Sequence, residues 1–295
     1  MTEKAKAWIR AMRLHTLPVS VAGTVTAAGC AAYYHSFSLA PFLICLFFAV
    51  GAQIVSNFAN EYFDYVNGLD RKGREGFRRG VTEGDISPRA MRAATFGLLC
   101  TVCAAGCSLI WWGGWWLLAV GVAVALFALG YSTGPYPLSH HGLGEIAVVI
   151  FFGVVPVIFT TYVQTQSWQM LPVALPLSLA VGFMGANVLV VNNYRDADDD
   201  RAVGKRTLAV RWGRPAMARL YLINGFVALA CVEVATALRI DPVWQLGALA
   251  YINIHWMLWQ RLRRAEGAEL NPLLGKTAML MFAASVWLLL ALCMA

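Results

Sequence analysis

A chain of 295 residues that is 59% hydrophobic and only 13% charged, with a mean hydropathy of +0.60, has too little polar surface for a soluble globular protein. Its net charge of +7 points to anionic lipid or an anionic substrate and away from nucleic acid, for which it carries no recognisable motif. The composition is that of an all-α polytopic membrane protein.

A spanning helix takes roughly 20 apolar residues, and the chain offers about nine such stretches. The N-terminal tail carries Lys4, Lys6, Arg10 and Arg13, and the first stretch follows over 14–34. A basic tail before an apolar run imitates a secretory signal, and Ala27-Ala28-Gly29-Cys30 faintly imitates a lipoprotein cleavage site; the segment is read here as a retained span. The second stretch, 40–63, leads into a loop holding Arg71, Lys72, Arg74, Arg78, Arg79, Arg89 and Arg92. Stretches 91–110, 113–131, 144–164 and 172–195 come next, then a second basic loop with Arg195, Arg201, Lys205, Arg206, Arg211, Arg214 and Arg219. The last three cover 216–238, 241–260 and 275–294, with Arg261, Arg263, Arg264 and Lys276 between the final two. Counted this way, the basic residues gather on one face, and Arg239 alone lies opposite. The positive-inside rule then places the N-terminus in the cytoplasm and the C-terminus on the other side of the membrane. Residues 1–295 are read as one transmembrane domain. All seven cysteines fall within spans as small packing residues; Cys100, Cys103 and Cys107 share a helix face, but no further ligand completes a metal set.

Two acidic runs close apolar stretches on the same face: Asn60-Glu61-Tyr62-Phe63-Asp64 continuing to Asp70, and Asn192-Asn193-Tyr194-Arg195-Asp196 continuing to Asp200. Carboxylates beside a bilayer are expensive and usually functional. Asn60 and Asp64 are four apart, as are Asn192, Asp196 and Asp200, so each run stacks oxygen ligands on one helix face. Gly68 can turn the chain so that Asp70 folds back toward Asp64. The two runs form a weak internal repeat that sets similar sites opposite one another. Mg²⁺ takes hard oxygen ligands and completes its shell with water and phosphate, so facing clusters of this kind suit a diphosphate held between two Mg²⁺ ions. Calcium lacks its loop and zinc its His or Cys ligands.

Metal-bridged diphosphate is a good leaving group, and Arg71, Lys72, Arg74, Arg195, Lys205 and Arg206 stand close enough in sequence to neutralise it. An allylic diphosphate leaves behind a carbocation, to which Tyr62, Phe63, Tyr131 and Tyr194 could turn aromatic faces, although interfacial tyrosines also serve as anchors. Glu145 either opens the fifth span at a helix dipole or faces the cavity. Asp198 and Asp199 read as a solvated rim, and the five histidines form no constellation.

The two acidic motifs, together with Gly204-Lys-Arg-Thr-Leu-Ala-Val-Arg211, Tyr131-Ser-Thr-Gly-Pro-Tyr-Pro-Leu138 and Gly142-Leu-Gly-Glu145 before Phe151-Phe-Gly153, resemble the UbiA superfamily of intramembrane prenyltransferases over essentially the whole chain. Within it the likeness is greatest to the 1,4-dihydroxy-2-naphthoate polyprenyltransferase branch. Glu61 departs from the Asp common there, which leaves its role open. The resemblance implies a nine-helix bundle around a central cavity open to the cytoplasm and to lipid. It also implies a polyprenyl diphosphate donor, a dihydroxynaphthoate acceptor that loses its carboxylate as carbon dioxide, and Mg²⁺. By the same resemblance, Asn60, Asp64, Asp70, Asn192, Asp196 and Asp200 match metal-diphosphate positions, with Lys205 and Arg206 as diphosphate contacts. Other acceptors of the superfamily, 4-hydroxybenzoate, homogentisate or haem, are alternatives, as is a cation-coupled transporter built on inverted repeats.

Overall fold

The computed structural model describes residues 2–70, 72, 77–236 and 245–295. Among them there is no β-strand; helices follow one another almost without interruption. Each apolar stretch overlies one: α2 (Leu17–Tyr33), α3 (Leu39–Val66), α5 (Pro88–Cys107), α7 (Leu117–Gly130), α8 (Gly144–Val148) running through a π-turn (Val149–Val154) into α9 (Val155–Thr165), α10 (Leu171–Ala202), α11 (Leu208–Thr236), α12 (Gln245–Leu262) and α13 (Leu270–Cys293). Short helices α4 (Gly80–Glu83) and α6 (Ile110–Gly113) sit between them. Six helical runs are long and apolar enough to cross a membrane, namely 39–66, 88–113, 144–165, 168–202, 208–235 and 267–293. The helices α2, α7 and α12 fall outside that measure, so the chain is a multi-pass membrane protein with six spans of full length among the described residues.

The basic N-terminal tail is itself a helix, α1 (Glu3–Met12). It is amphipathic, not apolar: Ala7 and Ala11 are buried against Phe58, Val81, Ile86 and Met91, while its charged side stays exposed. Thr2 caps it by accepting from the Ala5 N–H, and Arg10 reaches Asp85 in the loop beyond α3. Arg78 grips the same carboxylate through two hydrogen bonds, which holds Asp85 below the usual carboxylate range.

At the centre lies α10, whose Leu177, Val181, Val190 and Val191 are fully enclosed between α2, α11 and α13. Lipid offers apolar side chains no reason to leave it, so such helices associate through close packing and polar contacts. Gly153 in the π-turn meets Gly182 of α10 backbone to backbone, and a Cβ on either would collide with the opposite helix. Asn187 of α10 donates to the Tyr221 carbonyl at 3.0 Å and accepts from Asn224 at 3.1 Å, pinning α11 alongside. The Gly213 backbone (φ 79°, ψ 164°) breaks α11 near its start, just ahead of Pro215.

Candidate functional site

Both acidic helices stop in the same way. Gly68 (φ 67°) ends α3 and Gly204 (φ 77°) ends α10 in the left-handed conformation that glycine adopts without penalty. The Leu69 N–H donates to the Asp64 carbonyl at 2.8 Å and Gly68 to Tyr65 at 3.1 Å; the Lys205 N–H donates to Asp200 at 2.9 Å and Gly204 to Arg201 at 3.2 Å. These are matching Schellman caps, and they fix the register of the internal repeat. Asp64 corresponds to Asp200 and Asn60 to Asp196, one turn away from the pairing that the shared Asn-x-x-x-Asp spacing suggests. The helix α10 continues through Ala202, beyond the apolar stretch, so Asp196 and Asp200 project from a helix and not from a loop.

The two helix ends face each other across a polar cavity of ≈ 70 Å³. Asn60 and Asp64 line it from α3, Asn192, Arg195 and Asp200 from α10, and Lys205 from the cap. Lys205 extends from the second half to donate to Asp64 Oδ2 in the first at 3.0 Å. Arg79 lies 3.9 Å from Asp64 and 3.6 Å from Asp70, bridging both carboxylates, while Thr82 donates to Asp70 at 3.0 Å. His140 Nε2 stands 3.9 Å from the other Asp64 oxygen. Arg195 holds Asp196 through Nε at 2.7 Å and Nη2 at 2.9 Å, and also donates to Asn192 and Asn271. The cavity wall thus carries four cations, Arg13, Arg79, Arg195 and Lys205, against the two carboxylates Asp64 and Asp200. Such a surplus of donors, with Arg79 and Arg195 buried and Arg13 and Lys205 half-buried, suits a polyanion.

A middle cavity of ≈ 130 Å³ shares Arg13, Asn60, Tyr131 and Asn192 with the polar one. Through Gln53, Ser56, Phe127 and Phe152 it leads on to an apolar cavity of ≈ 220 Å³ between α3, α5, α7 and α9. A charged head and an apolar tail would find their surroundings in that order.

Residues 21–293 match the UbiA prenyltransferase family. The chain belongs to this family. It is 34% identical to the 1,4-dihydroxy-2-naphthoate octaprenyltransferase of Mycobacterium tuberculosis, over 96% of this chain and 94% of that one. It is 29% identical to the enzyme of the same name from Escherichia coli, covering 93% of this chain and 91% of the relative. A solved UbiA homologue from Archaeoglobus fulgidus, bound to DMAPP and Mg²⁺, superposes with a TM-score of 0.67 over 98% of this chain and 99% of that one; at 12% identity this is a likeness of fold.

In this UbiA-family chain the remaining candidate residues scatter. Tyr131 lines the polar and middle cavities. Tyr62 packs with the cluster beneath α1, beside Phe63. Tyr194 turns toward α11, where Arg214 lies over its ring at 5.8 Å and donates to its carbonyl. Lys72 and Arg206 are exposed, although the Arg206 N–H donates to the His140 carbonyl and so ties the two cavity loops together. Arg71 and Arg74 lie outside the described residues. Glu145 is buried, its Oε1 accepting from Asn193 at 2.9 Å. Asp198 is exposed and pairs with Arg201 and Arg214, in keeping with its reading as a rim residue. Glu61 is fully buried and accepts from the Val81 N–H at 2.9 Å, holding α4 against α3. The residues that sequence reasoning missed are Arg13, Arg79 and His140. Arg13 is held in a left-handed backbone conformation (φ 52°) where α1 gives way to α2, a strained geometry for a residue with a Cβ.

Proposed function

We propose that this chain transfers a polyprenyl group from its diphosphate to 1,4-dihydroxy-2-naphthoate, releasing diphosphate and carbon dioxide and giving demethylmenaquinol, the hydroquinone form of demethylmenaquinone. The family and the names of both bacterial relatives support this reading, and family membership favours it over a transporter. The observation that carries it is the continuity of a cation-rich cavity with an apolar one.

Asn60, Asp64, Asn192 and Asp200 offer hard oxygen donors around one cavity, a set that fits Mg²⁺. Among the described residues no group of three or more His, Cys, Asp or Glu side chains could hold an ion alone, so Mg²⁺ at these four residues would have to take the rest of its shell from water and phosphate. When bound, Mg²⁺ would neutralise the diphosphate and improve it as a leaving group. Arg13, Arg79, Arg195 and Lys205 add hydrogen bonds to the same phosphates as charge gathers on them. Asp196 and Asp70 act through their arginines, orienting Arg195 and Arg79. The C1–O bond breaks with its electron pair passing to diphosphate, and the apolar walls keep water from the allylic cation. Tyr131 presents a ring at the junction of head and tail. The new ring–C1 bond then forms and the acceptor carboxylate departs as carbon dioxide, leaving its bonding pair in the ring; protons balance without a protein base. The site lies on the basic face, which we assign to the cytoplasm of a bacterial inner membrane, with the N-terminus on that side.

Membranes containing the protein are expected to convert labelled polyprenyl diphosphate and dihydroxynaphthoate to prenylated product when Mg²⁺ is supplied. Product only with 4-hydroxybenzoate or homogentisate would overturn the acceptor, and solute uptake into proteoliposomes without prenyl transfer would overturn the enzyme.

A further inference from the structure

A polar stripe descends α3 from the acidic end into the bundle. Gln53, Asn57, Asn60 and Asp64 are spaced four, three and four apart and so share one face of a largely apolar helix. Polar side chains at such depth are costly and usually functional. Gln53 and Asn57 meet the turn between α1 and α2, where hydrogen bonds fix which way each amide points. The Thr16 hydroxyl directs its one proton to the Arg13 carbonyl at 2.8 Å, so its oxygen can only accept. Asn57 Nδ2 donates to the Met12 carbonyl at 3.0 Å and to Thr16 Oγ1 at 3.4 Å, which leaves Asn57 Oδ1 turned toward Gln53. Gln53 Nε2 then donates to Asn57 Oδ1 at 3.1 Å and to Thr16 Oγ1 at 3.4 Å. Two backbone carbonyls thus dictate the orientation of the last amide in the chain. With both amide protons taken, Gln53 has only Oε1 left to offer, at a position that lines the middle and apolar cavities.

We propose that Gln53 orients the aromatic acceptor, its Oε1 accepting a hydrogen bond from one ring hydroxyl. The inference rests on the prenyl-transfer reading above. That reading puts diphosphate in the polar cavity and the isoprenoid tail in the apolar one, so the allylic carbon and the ring that attacks it meet in the middle cavity between them. Gln53 stands seven residues from Asn60, about 10 Å along the helix, and so serves the end of the ring remote from the diphosphate. Phe127, Tyr131 and Phe152 line the same cavity and supply apolar faces for the ring. A group that only accepts selects by chemistry as well as by position. It pairs with a phenolic O–H, is left unsatisfied by a ring carbon bearing hydrogen, and repels a carboxylate. The acceptor therefore enters with a hydroxyl at Gln53 and its carboxylate toward the cationic end of the cavity.

The experiment measures binding of 1,4-dihydroxy-2-naphthoate to the detergent-solubilised protein, with Mg²⁺ and inorganic diphosphate present, and competition by 1-hydroxy-2-naphthoate and 4-hydroxy-2-naphthoate, each of which lacks one hydroxyl. In the wild type, loss of the hydroxyl that faces Gln53 is expected to weaken binding at least about tenfold. In Gln53→Leu that preference is expected to collapse to within about twofold, because the dihydroxy compound weakens while the analogue does not. Equal weakening of all three ligands would show that Gln53 only ties α3 to the turn between α1 and α2, and would overturn the proposal. A wild type indifferent to both hydroxyls, or an undiminished preference in Gln53→Leu, would do the same. Asn57→Ala provides a second measurement: Gln53 stays but its amide is released to turn, so the preference is expected to shrink at least about threefold, and an unchanged preference overturns the relay. A wild type that neither binds the naphthoates nor transfers a prenyl group to them would overturn the prenyl-transfer reading itself, whereas intact transfer with the preference untouched in both variants overturns the role of Gln53 alone.

Discussion

At Asp64 the carboxylate is buried and three nitrogen groups converge on it, from Lys205, Arg79 and His140. Asp64→Asn keeps the shape but removes the charge, and is expected to lower prenyl transfer by at least about 100-fold, with membrane yield unchanged. Product formation across a Mg²⁺ titration measures it; near-normal turnover at limiting Mg²⁺ would remove Asp64 from the ligand set. Asp198→Asn, on the exposed rim, is expected to alter turnover by less than about twofold. Glu61→Ala leaves the buried Val81 N–H without its acceptor and should lower stability by about 1–3 kcal/mol, read from thermal unfolding in detergent. That Asp64 and Asp200 line one cavity was legible because oxygen-bearing side chains spaced four apart at a bilayer edge have few bland explanations. Arg79 was not, since it sits among seven loop cations and, among the described ones, its burial sets it apart. His140 is likewise placed over the cavity by the fold, through the Arg206 N–H, and by no local pattern.

The secondary elements show the same division between local and long-range causes. Apolar stretches announce themselves wherever lipid or core requires them, and every one overlies a helix. Their ends are another matter: hydropathy falls at the first charge, whereas helical hydrogen bonding carries α10 on to Ala202, where Gly204 caps it. The first helix escaped notice for a related reason, because its buried face is two alanines wide amid lysines and arginines. The shared cap leads to a prediction. Gly204→Ala places a Cβ in left-handed backbone at a penalty of about 1–2 kcal/mol, and it displaces Lys205 from Asp64, so KM for the donor should rise more than stability falls. Comparing donor titration with thermal unfolding separates the two effects; equal loss of stability with unchanged KM would deny Lys205 a place at the diphosphate.

For the molecule as a whole, the basic face and the apolar cavity divide the work. Hydropathy and charge counting pointed to the membrane class, but the run of three joined cavities depends on which helices pack together, which no single stretch of sequence encodes. Chelation with EDTA is expected to abolish turnover, and Mg²⁺ to restore it with the protein still folded; activity that survives exhaustive chelation would contradict the donor set. The Lys205–Asp64 contact bears on how the site loads. Each half of the bundle lends the other a counter-ion, so an arriving phosphate that draws the lysine away also bares the aspartate for a divalent cation. Loading by either guest thereby prepares a seat for the other, and the two affinities should strengthen each other by one common factor whichever is added first.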